Sequence, residues 1–165
     1  MKLSSFIKVI LTSFLQEPFT VQFFLDSHLY VEYILSMDKK ERVEYWLDIA
    51  DYDLETAKSM LTSGRYLYVV FMCQQAIEKM LKALYINLFD EEPPRSHNLA
   101  FLFNKLGIST SDETMNVLNS LSAHYINNRY PEYKSKLSTV LDKKKAEEFL
   151  TKTERTYTWL KSQII

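Results

Sequence analysis

Apolar residues recur at helical spacing along most of the chain. From Val43 to Leu61 they fall at i, i+3, i+4 and i+7 positions, which is the pattern of an amphipathic helix with one buried face. Asp38, followed three residues later by Glu41, is a helix-start signal. Gly64 is a stop signal, since glycine readily ends a helix in the left-handed conformation. The pattern predicts a first long helix between Asp38 and Gly64.

A second long helix is predicted from about Tyr66 to Leu88, where the apolar positions again keep helical spacing. Only a few residues connect the two helices, so they must form an antiparallel hairpin. Cys73, the single cysteine, falls on the apolar side of the second helix. It is expected to be a buried small hydrophobe in a reducing compartment.

Three shorter helices are predicted in the rest of the chain. The paired prolines after the second helix exclude helix there. A short helix is predicted around 97–106 with Gly107 as its stop, the next is capped by Ser111 or Asp112, and the last by Asp142. No stretch shows the polar–apolar alternation of a strand. The sequence therefore predicts an all-α, antiparallel bundle of about five helices.

Composition fits one soluble globular domain. The 165 residues are 47% hydrophobic and 25% charged, and the low counts of two glycines and four prolines suit a helical chain. A net charge of −1 argues against a generally basic nucleic-acid binder. Residues 127–145 nevertheless carry six basic and two acidic side chains, a surplus of four. Either a solvated charged face or a local phosphate-binding surface explains this surplus.

The first 36 residues differ in character from the rest. Lys8 interrupts the apolar run that a signal peptide needs, and Gln16-Glu17-Pro18 cuts it too early for a transmembrane helix. A pair of short amphipathic helices and a poorly ordered extension remain open. The chain is therefore predicted to consist of a dispensable N-terminal extension, residues 1–36, and a helical bundle, residues 37–165.

Several motifs of catalytic and cofactor sites are missing from the sequence. Two isolated glycines cannot build a phosphate-binding loop, and His28, His97 and His124 lack metal-ligand spacing with one another or with Cys73. The adjacent Glu147 and Glu148 fall on an exposed face and are expected to be solubilising. No metal and no cofactor are predicted.

The segment Asn127-Asn128-Arg129-Tyr130-Pro131-Glu132-Tyr133 combines an arginine, two amides and two phenols around a proline. The proline biases the preceding residue away from helix, so a helix is predicted to end here. Two interpretations are open. The arginine fork can bind phosphate while the tyrosines stack on a base. Alternatively, the arginine caps a helix terminus and the tyrosines pack on the core.

Three blocks of sequence together resemble the HEPN domain (higher eukaryotes and prokaryotes nucleotide-binding). They occur in the family's order, and the resemblance covers roughly residues 38–163. The blocks are Tyr66-x-x-x-Val70 leading into Gln74-Gln75-Ala76-Ile77-Glu78-Lys79-x-Leu81-Lys82-Ala83-Leu84, then Ser96-His97-Asn98-Leu99-x-x-Leu102, then Tyr125-x-x-x-Arg129-Tyr130-Pro131.

The resemblance implies a helical bundle that is commonly dimeric. In prokaryotes such domains are often encoded beside, or fused to, a minimal nucleotidyltransferase, as a toxin–antitoxin pair or a related system. Many are metal-independent ribonucleases with an Arg-x(4–6)-His motif, whose arginine and histidine meet at the dimer cleft. Here Arg129 is the matching arginine, but no histidine follows it. His124 precedes it by five residues, which advance about 140° around a helix.

The resemblance assigns phosphate binding to Arg129, with Asn128, Tyr130 and Lys134 around it. For catalysis the candidates are Arg129, His124, His97 and Tyr133. His97 is expected to be an early helix residue whose ring bonds a neighbouring loop, with a position in the cleft as the alternative. His124 is expected to be a satisfied histidine at the core boundary.

Glu78 and Lys79 also have two interpretations. They are expected to be boundary charges that hydrogen-bond within the bundle, and a buried polar network or a dimer contact is the alternative.

Three hypotheses about function follow. The leading one is a cytoplasmic, homodimeric HEPN-type module that binds nucleotide or RNA phosphates and acts with a minimal nucleotidyltransferase. The second is a metal-independent ribonuclease with a non-standard arginine–histidine arrangement. The third is a non-catalytic dimerisation or interaction module whose aromatic surface pairs with itself or with a partner. No association with a membrane is predicted.

Overall fold

The structure is a computed structural model that describes residues 37–128 and 141–164, without the side chains of 125–128. The described residues form five helices and no strand, as an all-α bundle requires. These helices are α1 (Lys39–Thr62), α2 (Tyr66–Phe89), α3 (Leu99–Asn104), α4 (Asp112–Asn128) and α5 (Lys143–Lys161). None of the helices in these ranges is long and apolar enough to cross a membrane. The predicted extension, residues 1–36, lies outside the described residues.

The α1–α2 hairpin follows the predicted pattern. Helix α1 begins directly after Asp38 and ends before Gly64, which adopts a left-handed φ of 72°. This conformation lets the N–H of Arg65 donate to the carbonyl of Met60 at 2.8 Å, which closes the end of α1. A side chain at position 64 would be strained at this φ, so glycine makes the short turn possible.

Helix α2 is the centre of the bundle and packs against the other four helices. Its apolar side chains are almost fully enclosed, for example Val69, Ile77 and Leu84. Cys73 is buried among them, as predicted, and burial raises the pKa of its thiol to about 12. At neutral pH the thiol is therefore protonated and unreactive as a nucleophile.

Side-chain caps stabilise the three later helices, and two of them, Ser111 and Asp142, were predicted. The N–H of Phe101 donates to Asn98 Oδ1 at 2.9 Å, and the N–H of Lys145 donates to Asp142 Oδ1 at 2.8 Å. For α4, Ser111 is the cap, accepting from the N–H of Thr114 at 3.2 Å. Each side-chain oxygen satisfies an N–H that has no partner within its helix.

The helix predicted over 97–106 is longer than the observed one, because α3 spans only Leu99–Asn104. Asn98 has an extended backbone and supplies the cap, so His97 lies in the loop before the helix. The interpretation of His97 as an early helix residue is therefore wrong.

Helix α5 is anchored to α1 by one carboxylate. The hydroxyl of Tyr157 donates to Asp51 Oδ1 at 2.6 Å, and Lys161 Nζ lies 3.0 Å from Asp51 Oδ2. Burial and the nearby negative charge raise the pKa of Tyr157, so its hydroxyl remains a hydrogen-bond donor throughout the physiological pH range. These contacts connect residues more than 100 positions apart in the chain.

Candidate functional site

A buried carboxylate, Glu78, lies on α2 with only 1% of its surface exposed. Its Oε1 accepts from Lys82 Nζ at 2.8 Å, and its Oε2 accepts from Gln74 Nε2 at 3.0 Å. The ring Nδ1 of His97 lies 3.0 Å from the same Oε2. Gln74 and Lys82 are four residues before and after Glu78, so the helix places all three on one face. The site is therefore built from α2 and from the loop that precedes α3.

The network keeps Glu78 charged despite its burial. Burial by itself raises the pKa of Glu78, but the hydrogen bonds from Lys82, His97 and Gln74, together with the Lys82 charge, outweigh it and hold the pKa below its usual range. An ionised carboxylate only accepts hydrogen bonds, so the ring of His97 must donate through Nδ1. Glu78 thereby selects the tautomer of this histidine.

Helix α2 holds the loop before α3 at both the ring and the backbone of His97. Besides the bond to Glu78, the carbonyl oxygen of His97 accepts from Gln74 Nε2 at 3.2 Å. The side chain still has 54% of its surface exposed. The ring was expected to bond a neighbouring loop, and its Nδ1 bonds Glu78 of α2. His97 is instead a surface histidine oriented by a buried carboxylate.

A second part of the network extends towards α1. Gln75 donates to Gln74 Oε1 at 2.6 Å and accepts from Lys79 Nζ at 2.9 Å. The ammonium of Lys79 also lies 4.0 Å from Asp53 Oδ2. Burial raises the pKa of Asp53 and lowers that of Lys79. Thus the interpretation of Glu78 and Lys79 as boundary charges is wrong for Glu78, which belongs to a buried polar network.

Lys82 contributes to the site in two ways. While its ammonium donates to Glu78, it also lies 5.0 Å from the ring centroid of Trp46 on α1. A cation over an indole face is attracted to the ring electrons. This contact holds Lys82 in place as the counter-ion of the buried carboxylate.

The loop before α3 is also joined to α4. The N–H of Leu99 donates to Ser122 Oγ at 3.0 Å, and the same hydroxyl donates to the carbonyl of Leu118 at 2.8 Å. Ser122 lies on α4, whose last residue is Asn128, and Arg129 follows directly. The first two sequence blocks are therefore hydrogen-bonded to each other and attached to the helix that leads into the third.

The family model of the HEPN domain matches residues 43–163, well over half of the chain. The chain belongs to the HEPN family. The matched range includes all three blocks, and the match confirms the resemblance inferred from them. The Gln74–Glu78–His97 contacts lie within the matched HEPN region.

Two solved structures are similar to this HEPN chain. One is the crystal structure of a Thermus thermophilus protein, with a TM-score of 0.64 and 24% identity over 74% of this chain and 98% of the other. The second, an archaeal HEPN homologue, has a TM-score of 0.62 and 25% identity over 74% of this chain and 98% of the other. They support the helical-bundle fold. No curated protein matches the sequence.

Most residues predicted to bind phosphate lie outside the described residues of this HEPN protein. These are Arg129, Tyr130 and Lys134, together with the catalytic candidate Tyr133. Asn128 ends α4, and its side chain is also outside the description. Their roles stay predictions.

His124 lies on α4 at the edge of the HEPN core. It is half-buried, and its ring packs edge-on against Phe149 of α5 with centroids 5.0 Å apart. Burial lowers the pKa of His124, so the neutral imidazole is favoured. Its Nδ1 has no hydrogen-bond partner among the described residues. The boundary position is confirmed, but the partner that a satisfied histidine needs is not found in this part of the chain.

No group of three or more His, Cys, Asp or Glu side chains within 37–128 and 141–164 is arranged to hold a metal ion. Gln74, Glu78 and Lys82 stand in the HEPN motif, but the sequence did not predict that they form one network with His97. The i, i+4 spacing of polar residues inside a strongly apolar helix was the available signal. Nothing in the sequence indicated that Asp53 of α1 would lie beside Lys79.

Proposed function

We propose that this HEPN protein binds nucleotide or RNA phosphates at Arg129, with Asn128, Tyr130 and Lys134 completing the site. One observation carries the proposal. The Leu99–Ser122 hydrogen bond attaches the His97 loop to α4, whose last residue, Asn128, directly precedes Arg129 in the sequence. A hydrogen bond that holds α4 in place supports a constant site after its last residue, and an arginine fork matches the oxygens of a phosphate.

The surplus of four positive charges in residues 127–145 supports an anionic ligand. The protein as a whole has a net charge of −1, so this attraction is local to the segment that contains Arg129. The ligand in this proposal is consequently recognised by a small number of cations, and its affinity falls as salt rises.

In this proposal the protein is cytoplasmic and acts with a minimal nucleotidyltransferase, as one half of a toxin–antitoxin-like system. Family membership supports this partnership. A homodimer is part of the proposal, and exposed aromatic side chains supply contact surfaces for it. Tyr52 on α1 is 74% exposed and Tyr68 on α2 is 44% exposed. Tyrosine is enriched at protein interfaces because it combines a large apolar body with a polar end.

The binding proposal is tested with the full-length protein and its Arg129→Ala variant. Fluorescence anisotropy measures the affinity for a labelled single-stranded RNA and, by competition, for nucleotides. Arg65→Ala is the matched control, since Arg65 is exposed at the α1–α2 turn. We expect Arg129→Ala to lose at least about tenfold in affinity, in line with a charge-assisted hydrogen bond. Equal affinities of the two variants would contradict the proposed site.

A second candidate function is a metal-independent ribonuclease, and the Glu78–His97 pair favours it. The ionised Glu78 accepts a hydrogen bond from Nδ1 of His97 and so orients a ring that is 54% exposed. A base oriented by a carboxylate is a recurring arrangement in general acid–base catalysis. In this mechanism His97 takes the proton of the attacking 2′-hydroxyl as its oxygen bonds to phosphorus, and the 5′-oxygen leaves and takes up a proton from water. Arg129 stabilises the negative charge that develops on the phosphoryl oxygens.

The ribonuclease candidate is tested by incubating bulk RNA with the full-length protein in EDTA. Cleavage that disappears in both His97→Ala and Arg129→Ala supports it, provided that both variants keep the helical circular dichroism of the wild type. The absence of cleavage by the wild type sinks this candidate and leaves the binding proposal in place.

A further inference from the structure

A groove of about 650 Å³ lies between α4 and α5. The α4 side contributes Asn116, Val117 and Ser120, and the α5 side contributes Phe149 and Lys152. A smaller hollow of about 120 Å³ shares Val117 and Lys152 with the groove. The volume is that of a pocket for one small organic ligand.

The α5 wall of the groove is cationic. Lys145 and Lys152 line it two helical turns apart, on one face of the helix, and Arg155 lines the smaller hollow one turn further on. The one acid of this wall, Glu148, is paired with Lys152 at 2.6 Å. The wall therefore carries three cations and one acid, a surplus of two positive charges that favours an anionic group.

The α4 wall is uncharged or acidic and rich in hydrogen-bonding groups. Asn116 and Ser120 are four residues apart and line the same side of the groove, with Glu113 one turn before Asn116. An amide offers both donors and acceptors, and a carboxylate accepts from amino groups. These are the side chains that recognise the polar edge of a nucleobase.

The apolar surface between the walls comes from Val117 and Phe149. The ring of His124 packs against Phe149 at an interplanar angle of 86°, which fixes the position of the phenyl ring. An aromatic face at this place can stack with a flat heterocycle, because every nucleobase has a π-face.

The geometry points to a nucleotide-binding groove between α4 and α5, in which the base stacks on Phe149, its edge meets Asn116 and Glu113, and its phosphate meets Lys152 and Arg155. A bare phosphate leaves the aromatic floor and the α4 wall unused, and the carboxylate of Glu113 repels it. An uncharged apolar ligand leaves the α5 cations unused. This inference rests on the proposed function, since it assigns the same class of ligand to a second surface.

The test compares two asparagines of α4. Asn116 lines the groove, whereas Asn119 is also exposed but does not line it. Asn116→Leu places an apolar side chain in the groove, and Asn119→Leu places the same side chain elsewhere on the helix. Equilibrium dialysis of the full-length protein then measures the affinities for ATP, GTP, CTP, UTP and a short single-stranded RNA.

We expect Asn116→Leu to lose about tenfold or more in affinity, and Asn119→Leu to bind as the wild type does. Phe149→Ala is a second test of the same groove, because it removes the ring on which the base is proposed to stack. A loss of affinity for free nucleotides shows that the groove binds a free nucleotide. A loss of affinity for RNA alone shows that it binds an unpaired nucleotide of a strand. Equal affinities in both asparagine variants would overturn the inference.

Arg129→Ala keeps the two proposals distinguishable. If Arg129→Ala weakens binding while Asn116→Leu does not, the proposed function stands and the groove is not a site. When Asn116→Leu weakens binding and Arg129→Ala does not, the groove is the site and the assignment to Arg129 is wrong. A wild type that binds none of these ligands overturns both.

Discussion

The ring of His97 and the carboxylate of Glu78 are joined at 3.0 Å across 19 positions of sequence. The carboxylate is buried, whereas the ring is largely exposed, so one end of the pair belongs to the core and the other to the surface. These contacts continue along the loop before α3 to Leu99, whose N–H donates to Ser122 of α4. Four predictions follow the path of these contacts from α2 outwards.

Replacing Glu78 should destabilise the fold strongly. In Glu78→Ala, Lys82 loses its carboxylate while staying largely buried, and Gln74 and His97 lose an acceptor. We expect the free energy of unfolding to fall by about 3–5 kcal/mol, the usual cost of breaking a buried ion pair by removing one partner. Urea denaturation followed by circular dichroism measures it.

Glu55→Ala is the control for this variant. Glu55 pairs with Lys58 at 2.6 Å on the exposed side of α1, where an ion pair contributes about 0–1 kcal/mol. A loss in Glu78→Ala as small as that in Glu55→Ala would mean that the buried network does not stabilise the bundle.

Stability should also depend on pH through Glu78. Its pKa is lower in the folded protein than its unperturbed value of 4.5. The unfolded chain therefore takes up the proton first as pH falls, and the contribution of Glu78, complete above about pH 4.5, is lost as pH falls through the folded pKa. Urea midpoints measured between pH 7 and pH 3 should decrease less steeply for Glu78→Gln than for the wild type.

The titration of Asp53 changes stability with pH in the opposite direction to that of Glu78, because burial raises the pKa of Asp53 above the unperturbed 3.8. Protonation of Asp53 stabilises the folded state at low pH, and this contribution is lost as pH rises through its folded pKa. The comparison of wild type with Glu78→Gln separates the two effects, since Asp53 is present in both proteins. Parallel pH profiles of the two proteins would be inconsistent with an ionised Glu78.

The Asp53–Lys79 pair should respond differently to single and double replacement. Both side chains are largely buried and lie 4.0 Å apart, so each charge depends on the other. We expect Lys79→Met alone to cost about 1–3 kcal/mol, because it leaves a buried carboxylate without its counter-ion. The double variant Asp53→Leu/Lys79→Met should recover most of this loss.

A double-mutant cycle in urea measures the coupling between Asp53 and Lys79. Additive effects of the two replacements would show that the two charges do not interact across the α1–α2 contact.

How far the sequence determines this fold can be judged residue by residue. Gly64, Ser111 and Asp142 signalled helix ends correctly, because capping and left-handed turns depend on residues close in sequence. The start of α3 was misplaced by two residues, since both His97 and Asn98 suit a helix start and only the contact with α2 fixes His97 outside the helix. A helix end was predicted correctly where the hydrogen bond that closes it joins residues close in sequence.

The candidate site was harder to predict than the helices. Glu78 is one of several polar residues in a largely apolar helix, and one of the three groups that hydrogen-bond to it, His97, lies 19 residues away. The contact of Lys79 with Asp53 needs the register of the α1–α2 hairpin, which the spacing of apolar residues does not specify. The family motif identified most of the site residues, but not which of them share a hydrogen bond.

Ser122 should anchor the loop before α3. In Ser122→Ala the buried N–H of Leu99 loses its partner, and we expect a cost of about 1–3 kcal/mol together with faster hydrogen exchange at this amide. Exchange followed by mass spectrometry or NMR reports on Leu99 directly. Ser59→Ala is the control, since its hydroxyl only bonds the carbonyl of Glu55 in its own helix. Unchanged exchange at Leu99 would show that the loop is held by other contacts.

Binding at the proposed site depends on a contact between Arg129 and a phosphate. Its most direct test is the salt dependence of RNA binding, because a lost phosphate contact changes the slope and not only the affinity. For a single strand the logarithm of the binding constant falls with the logarithm of salt concentration, with a slope of about −0.7 per phosphate contact. We expect Arg129→Ala to reduce this slope by about 0.7 in magnitude, and Arg65→Ala to leave it unchanged. An identical slope for Arg129→Ala and the wild type would show that Arg129 does not contact a phosphate.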